Sequence, residues 1–263
     1  MSRIQSKFRE LKRRVEKGLI PFVTAGDPSL AVTKKLILSL ERGGADIIEL
    51  GVPFSDTMAD GPVIQKASER ALAKGTTLTK VIALVREVRK TSRIPLLLMG
   101  YYNPILSYGL AKYAQDAARA GVDATLVVDL PPEESAELDR ELKKAGIDLI
   151  YLLTPTSDAE RIRLVTRRAR GFIYFVSITG ITGARLRSEQ EVRKKVRQIR
   201  RHTKLPIAVG FGISRPDQAH AMSKAADGVV VGSALVDLIA RNAFAKSLST
   251  KVEKFVRVIK ESI

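Results

Sequence analysis

The sequence predicts an α/β protein, a (β/α)8 or TIM barrel with an extra N-terminal helix. Eight short runs rich in Val, Ile and Leu alternate with stretches of helical periodicity along the 263 residues, as expected of parallel strands covered by helices. No linker or shift in composition divides the chain, so we expect one barrel domain over residues 1–263. An open doubly wound sheet has the same alternation and stays as the alternative, because periodicity alone does not show closure.

The extra helix is predicted at residues 2–17, ahead of the first strand. Apolar residues recur there at helical spacing, at Ile4, Phe8, Leu11 and Val15. Gly18 follows and is predicted to end the helix. The pattern indicates an amphipathic helix.

The eight strand–helix units follow in order. The predicted strands are 19–26, 46–50, 94–99, 123–130, 147–153, 171–177, 205–210 and 226–233. The predicted helices are about 29–43, 62–74, 78–91, 110–120, 131–144, 158–168, 191–201 and 215–224, with further helices to the C-terminus. The stretch GYYNPILSYG at 100–109 is predicted to be a loop.

The net charge of +17 raises the question of a nucleic-acid or membrane surface. In residues 191–201, however, Val192, Val196 and Ile199 form one apolar stripe, and most of the basic residues lie around the remainder. No aromatic residues are interleaved with the charges. We therefore favour solvated helix faces, and expect no nucleic-acid partner.

Several classes of site are excluded by composition. The chain has no cysteine, so it can form no disulfide and has no thiolate nucleophile or ligand. Its two histidines, His202 and His220, lie in polar helical contexts and are expected at the surface, so we expect no metal site. No signal peptide and no apolar run that could span a membrane is visible, which predicts a cytoplasmic protein.

The stretch 45–65, ADIIELGVPFSDTMADGPVIQ, carries the first candidate chemistry. Glu49 interrupts an apolar strand, and Asp60 stands on the loop that follows. A carboxylate in an apolar strand is costly unless it is paired, hydrated or shifted in pKa. Two such groups could divide acid and base work. The structural alternative is that Glu49 forms an ion pair with a lysine or arginine.

Other polar residues stand at predicted strand ends, where the active face of a (β/α)8 barrel lies. They are Thr24, Asp27, Tyr101, Tyr102, Asn103 and Asp129, together with Tyr174 inside strand six. Each alone could be a cap or turn residue. Their shared placement favours a site at this end of the barrel.

Glycine-rich loops follow the last three strands and predict a phosphate site. The loops are TGITGA (179–184), GFGIS (210–214) and VGSA (231–234). Glycine lets backbone N–H groups approach a phosphate, with a helix N-terminus behind them. Ser233 adds a hydroxyl and is predicted to cap the next helix. Ordinary βα turns are the alternative.

Seven motifs in order along the chain resemble the tryptophan synthase alpha subunit family. They are PFVTAGDP (21–28), IELGVPFSDTMADGP (48–62), YYNPI (101–105), VVDLPPEE (127–134), SITGITGA (177–184), GFGIS (210–214) and VVGSA (230–234). The resemblance implies a lyase that cleaves indole-3-glycerol phosphate to indole and glyceraldehyde 3-phosphate. It also implies a hetero-tetramer of two alpha and two beta subunits. The cofactor PLP would belong to the beta subunit, and none to this chain.

The resemblance also implies roles for residues. Glu49 matches the principal acid/base, Asp60 the second catalytic carboxylate and Tyr174 a tyrosine of the reaction site. Matches to the indole pocket or partner contact are Phe22, Tyr101 and Asp129. Matches to the phosphate cradle are Gly183, Gly212, Gly232 and Ser233. Thr182 matches a threonine on the loop 178–190, which is expected to be mobile and to close towards Asp60.

One departure and two functional alternatives accompany this resemblance. Thr57 stands where the family usually has proline, which loosens the expected conformation of the Asp60 loop. The chain could act mainly as an allosteric activator of a beta subunit, with little turnover alone. A different phosphate-sugar isomerase or lyase is the nearest enzymatic rival, but it would not need the pair Glu49 and Asp60.

Overall fold

The computed structural model describes residues 2–176, 189–210 and 212–263. It contains a closed barrel of eight strands in chain order. Every neighbouring pair is parallel, and the last strand pairs with the first through Gly18 and Gly228. The predicted (β/α)8 fold is therefore confirmed, and the open doubly wound sheet is wrong.

The elements agree in order with the predicted ones, but the strands are shorter. The strands are β1 Gly18–Thr24, β2 Ile48–Gly51, β3 Leu96–Gly100, β4 Ala124–Val127, β5 Asp148–Leu153, β6 Ile173–Val176, β7 Ile207–Gly210 and β8 Gly228–Val231. The helices are α1 Arg3–Arg14, α2 Leu30–Arg42, α3 Pro62–Ala73, α4 Leu78–Val88, α5 Tyr102–Tyr108, α6 Leu110–Ala120, α7 Ala136–Lys144, α8 Ala159–Arg168, α9 Glu189–Arg200, α10 Pro216–Ser223, α11 Ser233–Arg241 and α12 Leu248–Lys260.

Alternation along each strand divides the core into two layers. In β1, Leu19 and Val23 face the surrounding helices, whereas Ile20 belongs to the cluster inside the barrel. Phe22 and Thr24 follow Ile20 at intervals of two residues, so they share its inward direction. The end of the barrel at the carboxyl ends of the strands, here called the mouth, therefore receives side chains directly from strand residues.

Helix α1 closes the opposite end of the barrel, here called the floor. Its residues Ile4, Phe8 and Leu11 are buried in the same cluster as the barrel interior. The rings of Phe8 and Phe172 lie with their centroids 5.6 Å apart. Apolar side chains thus fill the barrel at the floor, and the polar contacts there are ion pairs and hydrogen bonds around the first residues of the strands, such as Arg3 with Asp123.

The predicted end of this helix was wrong. The helix ends at Arg14, and Gly18 is the first residue of β1. Val15 adopts the left-handed conformation with φ of 59° and is 89% exposed, so it does not continue the apolar stripe. The Glu16 N–H donates to the Leu11 carbonyl at 2.9 Å, which completes a turn that glycine usually makes.

Replacing Val15 by glycine is expected to raise the free energy of unfolding by about 1 kcal/mol, because a left-handed conformation strains a β-branched residue. Chemical denaturation of the wild type and the variant measures the difference. Val15→Ala is the matched control, since alanine keeps a Cβ in the same conformation. Equal stability of the V15G and V15A variants would contradict the strain argument.

The predicted loop at 100–109 was also wrong, because residues Tyr102–Tyr108 form α5. Pro104 stands in the first turn of this helix, where proline is tolerated since its missing N–H needs no partner. The carboxylate of Asp129, on the loop after β4, accepts a hydrogen bond from the Tyr102 N–H at 2.8 Å. A residue distant in sequence thus caps the helix.

Basic residues gather in the last turns of the outer helices. Lys143 and Lys144 close α7, and Arg167 and Arg168 close α8. Cations at these positions offset the partial negative charge of a helix C-terminus. Both histidines are exposed, as predicted. In the described part of the chain, the helices are too short or too polar to cross a membrane.

Candidate active site

Glu49 lies in β2, between Phe22 of β1 and Leu97 of β3 in the strand register. Its side chain is 0% exposed. The Tyr174 hydroxyl donates a hydrogen bond to Oε2 at 3.4 Å, whereas Oε1 is buried without a partner. Among the described residues no lysine or arginine forms an ion pair with Glu49, and no cation is among the causes of its pKa shift.

Burial without a cation changes the protonation of Glu49. Desolvation raises its pKa to about 8, against a smaller lowering by the hydrogen bond from Tyr174. The nearby charge of Asp60 raises it further. Glu49 therefore holds a proton at neutral pH, and is close enough to its pKa to release it during a reaction.

Tyr174 lies in β6, where its ring has room because of a glycine on the next strand. A Cβ at Gly210 would lie 3.3 Å from the Tyr174 hydroxyl oxygen. Burial and the charge of Glu49 raise the pKa of Tyr174 well above its ordinary value. Tyr174 therefore stays protonated and orients Glu49 as a hydrogen-bond donor.

Asp60 lies on the loop between β2 and α3, and a tyrosine holds its carboxylate. The Tyr101 hydroxyl donates to Oδ2 of Asp60 at 3.1 Å, and accepts a hydrogen bond from the Ala59 N–H at 3.1 Å. Burial raises the pKa of Asp60 to about 6, against a lowering by the Tyr101 hydrogen bond. Asp60 is therefore ionised at neutral pH, in contrast to Glu49.

The loop that carries Asp60 is fixed through its backbone. The Gln65 side-chain amide donates to the carbonyls of Thr57, at 3.2 Å, and Asp60, at 2.9 Å. The Asp60 N–H also donates to the Thr57 carbonyl, at 3.0 Å. In two of these bonds the acceptor is the backbone carbonyl of residue 57, which a proline at this position would also have. The departure at Thr57 thus leaves this anchoring in place.

A narrow cleft with a free volume of about 10 Å³ lies beside these groups at the mouth. Residues that line it include Phe22, Thr24, Gly51, Asp60, Ser68 and Tyr101. The Phe22 ring occupies the space beside Gly51, since a Cβ there would lie 2.5 Å from Cζ of Phe22. The lining of the cleft thus combines apolar and polar side chains, as sites for small ligands commonly do.

Thr24, which the sequence places among the polar residues at the active face but gives no specific role, lines this cleft. It is 3% exposed, and its hydroxyl oxygen is buried without a hydrogen-bond partner. The alternation along β1 could have shown that it points inward, as Phe22 does. The missing partner depends on the spacing between β1 and the Asp60 loop, which the sequence does not show.

The predicted phosphate cradle is described only in part. Gly212, after β7, has a positive φ of 61°, and Gly232 directly precedes α11. Ser233 is the first residue of α11 and makes no capping hydrogen bond, so its predicted role as a cap was wrong. The helix start leaves backbone N–H groups that can bind an anion. Thr182, Gly183 and most of loop 178–190 lie outside the described residues.

Asp129 is a predicted site residue that does not line the cleft, which is also true of Glu49 and Tyr174. It is exposed, lies two residues beyond the end of β4, and caps α5 as described above. The lining of the cleft includes Phe22 and Tyr101 but not Asp129. The structure therefore brings together Glu49 with Tyr174, and Asp60 with Tyr101, beside Phe22.

Comparisons with known proteins agree on one family. The family model for the tryptophan synthase alpha chain matches residues 8–263. A tryptophan synthase alpha chain from Geobacter sulfurreducens is 56% identical over 263 residues, which cover all of this chain and 99% of that one. Two solved structures are also similar.

The first of these structures is the alpha subunit of tryptophan synthase from Legionella pneumophila. It has a TM-score of 0.93 and 40% identity, and the match covers all of this chain and 98% of that one. The second is a tryptophan synthase complex from Pyrococcus furiosus, with a TM-score of 0.84 and 35% identity. That match covers 93% of this chain and 98% of the other.

Proposed function

Because the chain belongs to the tryptophan synthase alpha chain family, we propose that it is a carbon–carbon lyase of tryptophan biosynthesis. Its proposed reaction is the retro-aldol cleavage of indole-3-glycerol phosphate to indole and glyceraldehyde 3-phosphate. The observation that carries this proposal is the pair Glu49 and Asp60. Burial raises the pKa of both carboxyl groups, to about 8 for the fully buried Glu49 and to about 6 for Asp60. Two carboxyl groups in opposite protonation states suit a reaction that needs an acid and an anion.

In the proposed first step, protonated Glu49 gives its proton to C3 of the indole ring. The ring becomes an indolenine with positive charge on its nitrogen, and the bond from C3 to the side chain is weakened. The Asp60 carboxylate accepts a hydrogen bond from the ring N–H and stabilises that charge. Tyr174 keeps Oε2 of Glu49 oriented throughout.

In the second step, the Glu49 carboxylate takes the proton from the side-chain hydroxyl next to C3. The carbon–carbon bond breaks, its electron pair returns to the ring, and the hydroxyl carbon becomes the aldehyde. Glu49 ends the cycle protonated, so no other acid or base is consumed. We assign the phosphate to Gly212, Gly232 and Ser233, with the start of α11 behind it.

We further propose that the chain works in a complex with a beta subunit, in the cytoplasm. The support is its 35% identity to a chain of the Pyrococcus furiosus tryptophan synthase complex. Two alpha and two beta subunits are the expected assembly, with PLP held by the beta subunit. An exclusively regulatory role is the second candidate, but the buried pair Glu49 and Asp60 favours turnover.

The test is an assay of the purified chain on indole-3-glycerol phosphate. Indole and glyceraldehyde 3-phosphate should form in equal amounts, and a beta subunit should increase the rate. Turnover only in the presence of the beta subunit would favour the activator alternative. No indole from the chain alone or from its complex would contradict the proposed reaction.

The two pKa values predict a bell-shaped pH dependence of kcat/KM. Below about pH 6 Asp60 takes up a proton and loses the charge that stabilises the ring nitrogen. Above about pH 8 Glu49 loses the proton that it must donate. Initial rates at low substrate concentration from about pH 5 to pH 9.5 measure both limbs. A flat profile across that range would contradict the assignment of these two groups.

A further inference from the structure

The hydroxyl of Thr24 is buried at the mouth of the barrel without a hydrogen-bond partner. Thr24 is the last residue of β1, and its register partner on β2 is Gly51, which has no side chain to offer a bond. A hydroxyl usually finds a partner when it is buried, because burying it alone is unfavourable. Valine has nearly the same shape and would fill this position without burying an unpaired hydroxyl.

Asp60 lines the same narrow cleft as Thr24 and has acceptor capacity to spare. Its Oδ2 accepts the hydrogen bond from Tyr101, whereas no described residue donates to Oδ1. A carboxylate has about four acceptor positions. The lining of the cleft thus includes a hydroxyl donor and a carboxylate acceptor position that no described residue uses.

We propose that Thr24 is a positioning residue, whose hydroxyl donates a hydrogen bond to the Asp60 carboxylate when substrate occupies the cleft. This inference rests on the proposed function, in which Asp60 accepts the N–H of the indole ring. Two donors, Tyr101 on Oδ2 and Thr24 on Oδ1, then fix the plane of the carboxylate. Hydrogen bonds from both sides also favour its ionised form, which is the form that the reaction uses.

The geometry explains why the bond is made with ligand rather than before it. Asp60 sits on a loop, whereas Thr24 is held in β1, where the Ala25 N–H donates to the Gly51 carbonyl at 2.8 Å. Because Gln65 holds the backbone of the Asp60 loop, the adjustment is a rotation of the Asp60 side chain and not a movement of the loop. An aromatic ring in the cleft displaces water, and a hydrogen bond to a carboxylate gains strength where water is excluded.

The test is a double-mutant cycle on Thr24 and Asp60. Thr24→Val, which removes the hydroxyl and keeps the shape, should lower kcat/KM about tenfold in the wild-type background. In the Asp60→Ala background, which removes the acceptor, the same change should cost no more than about twofold. Thr24→Ser keeps a hydroxyl and should retain activity within about threefold of the wild type.

Thr125→Val is the matched control, because the Thr125 hydroxyl is also buried but bonds Tyr113, at 2.8 Å. The T125V variant should lose stability and keep its kcat/KM. If the T24V protein does not fold, Thr24→Ala takes its place in the cycle.

Two results would overturn the inference. One is a T24V variant as active as the wild type. The other is an equal loss from T24V in both backgrounds, which would mean that Thr24 acts without Asp60. Wild-type turnover is measured in the same assay, so a failure of the proposed reaction appears there and is distinct from both results.

Discussion

Replacing Glu49 by glutamine is expected to lower the kcat for indole release by about 10³-fold or more. Glutamine keeps the size and the hydrogen-bonding shape of the side chain but cannot give or take the proton. Tyr174 can still donate to the side-chain oxygen, so the cleft should keep its form. Substrate should therefore bind to the E49Q variant about as well as to the wild type, with the loss confined to the chemical step.

Single-turnover measurements of indole release and calorimetric titration with indole-3-glycerol phosphate separate the two effects. Indole release from the E49Q variant at the wild-type rate would exclude Glu49 as the acid and base. A large loss of binding with an unchanged rate at saturation would assign Glu49 to substrate binding alone.

Stability against pH provides the folding control for the same variant. Glu49 has a pKa of about 8 when buried and an ordinary value of 4.5 in the unfolded chain, so the folded protein keeps a proton that the unfolded chain releases between these values. The wild type should lose about 1.4 kcal/mol of stability per pH unit across this window from this group. The E49Q variant lacks the titration, and its advantage over the wild type should grow from about pH 5 to pH 8.

Replacing Asp60 by asparagine is expected to lower kcat/KM by about 10²-fold. An amide can still accept from Tyr101 but carries no negative charge to stabilise the ring nitrogen. The loss should be smaller than for E49Q, because the proton transfers by Glu49 continue. The D60N variant should also lose the acidic limb of the pH profile. Its alkaline limb should move below about pH 8, since the charge of Asp60 helps to raise the pKa of Glu49.

Asp56→Asn is the matched control for this prediction. Asp56 lies on the same loop but is exposed to solvent, so its substitution should leave the turnover of the chain alone unchanged. Initial rates across the pH range compare the three proteins. An acidic limb that persists in the D60N variant would assign that limb to another group.

The order of the elements and the choice of Glu49 and Asp60 as candidate site residues could be predicted from the sequence, because both follow from patterns of neighbouring residues. Each strand is a short apolar run, and Glu49 is conspicuous because it interrupts one. Two features depended on contacts between distant residues. Helix α5 begins where Asp129 caps it from another loop. The end of α1 at Arg14 follows from its fit under the barrel, with Ile4, Phe8 and Leu11 already buried.

In the candidate site, too, some features could be predicted from local patterns, and others depend on contacts between distant residues. That Glu49 and Thr24 point inward follows from alternation along a strand. Their electrostatic state does not, because it depends on what the opposite strands place nearby. The pKa of Glu49 is set by the lack of a cation and by the contact with Tyr174, a residue 125 positions away. The unused hydroxyl of Thr24 depends equally on the absence of a side chain at Gly51.

The close fit of Phe22 against Gly51 couples the evolution of these two positions. Any side chain at 51 would overlap the ring, with its Cβ 2.5 Å from Cζ and 2.7 Å from Cε2. A side chain at position 51 therefore requires the Phe22 ring to move aside or residue 22 to be smaller. Among homologous chains, alanine or serine at position 51 should occur together with a residue smaller than phenylalanine at position 22. Residues 22 and 51 should therefore vary together, because they jointly determine the shape of the cleft.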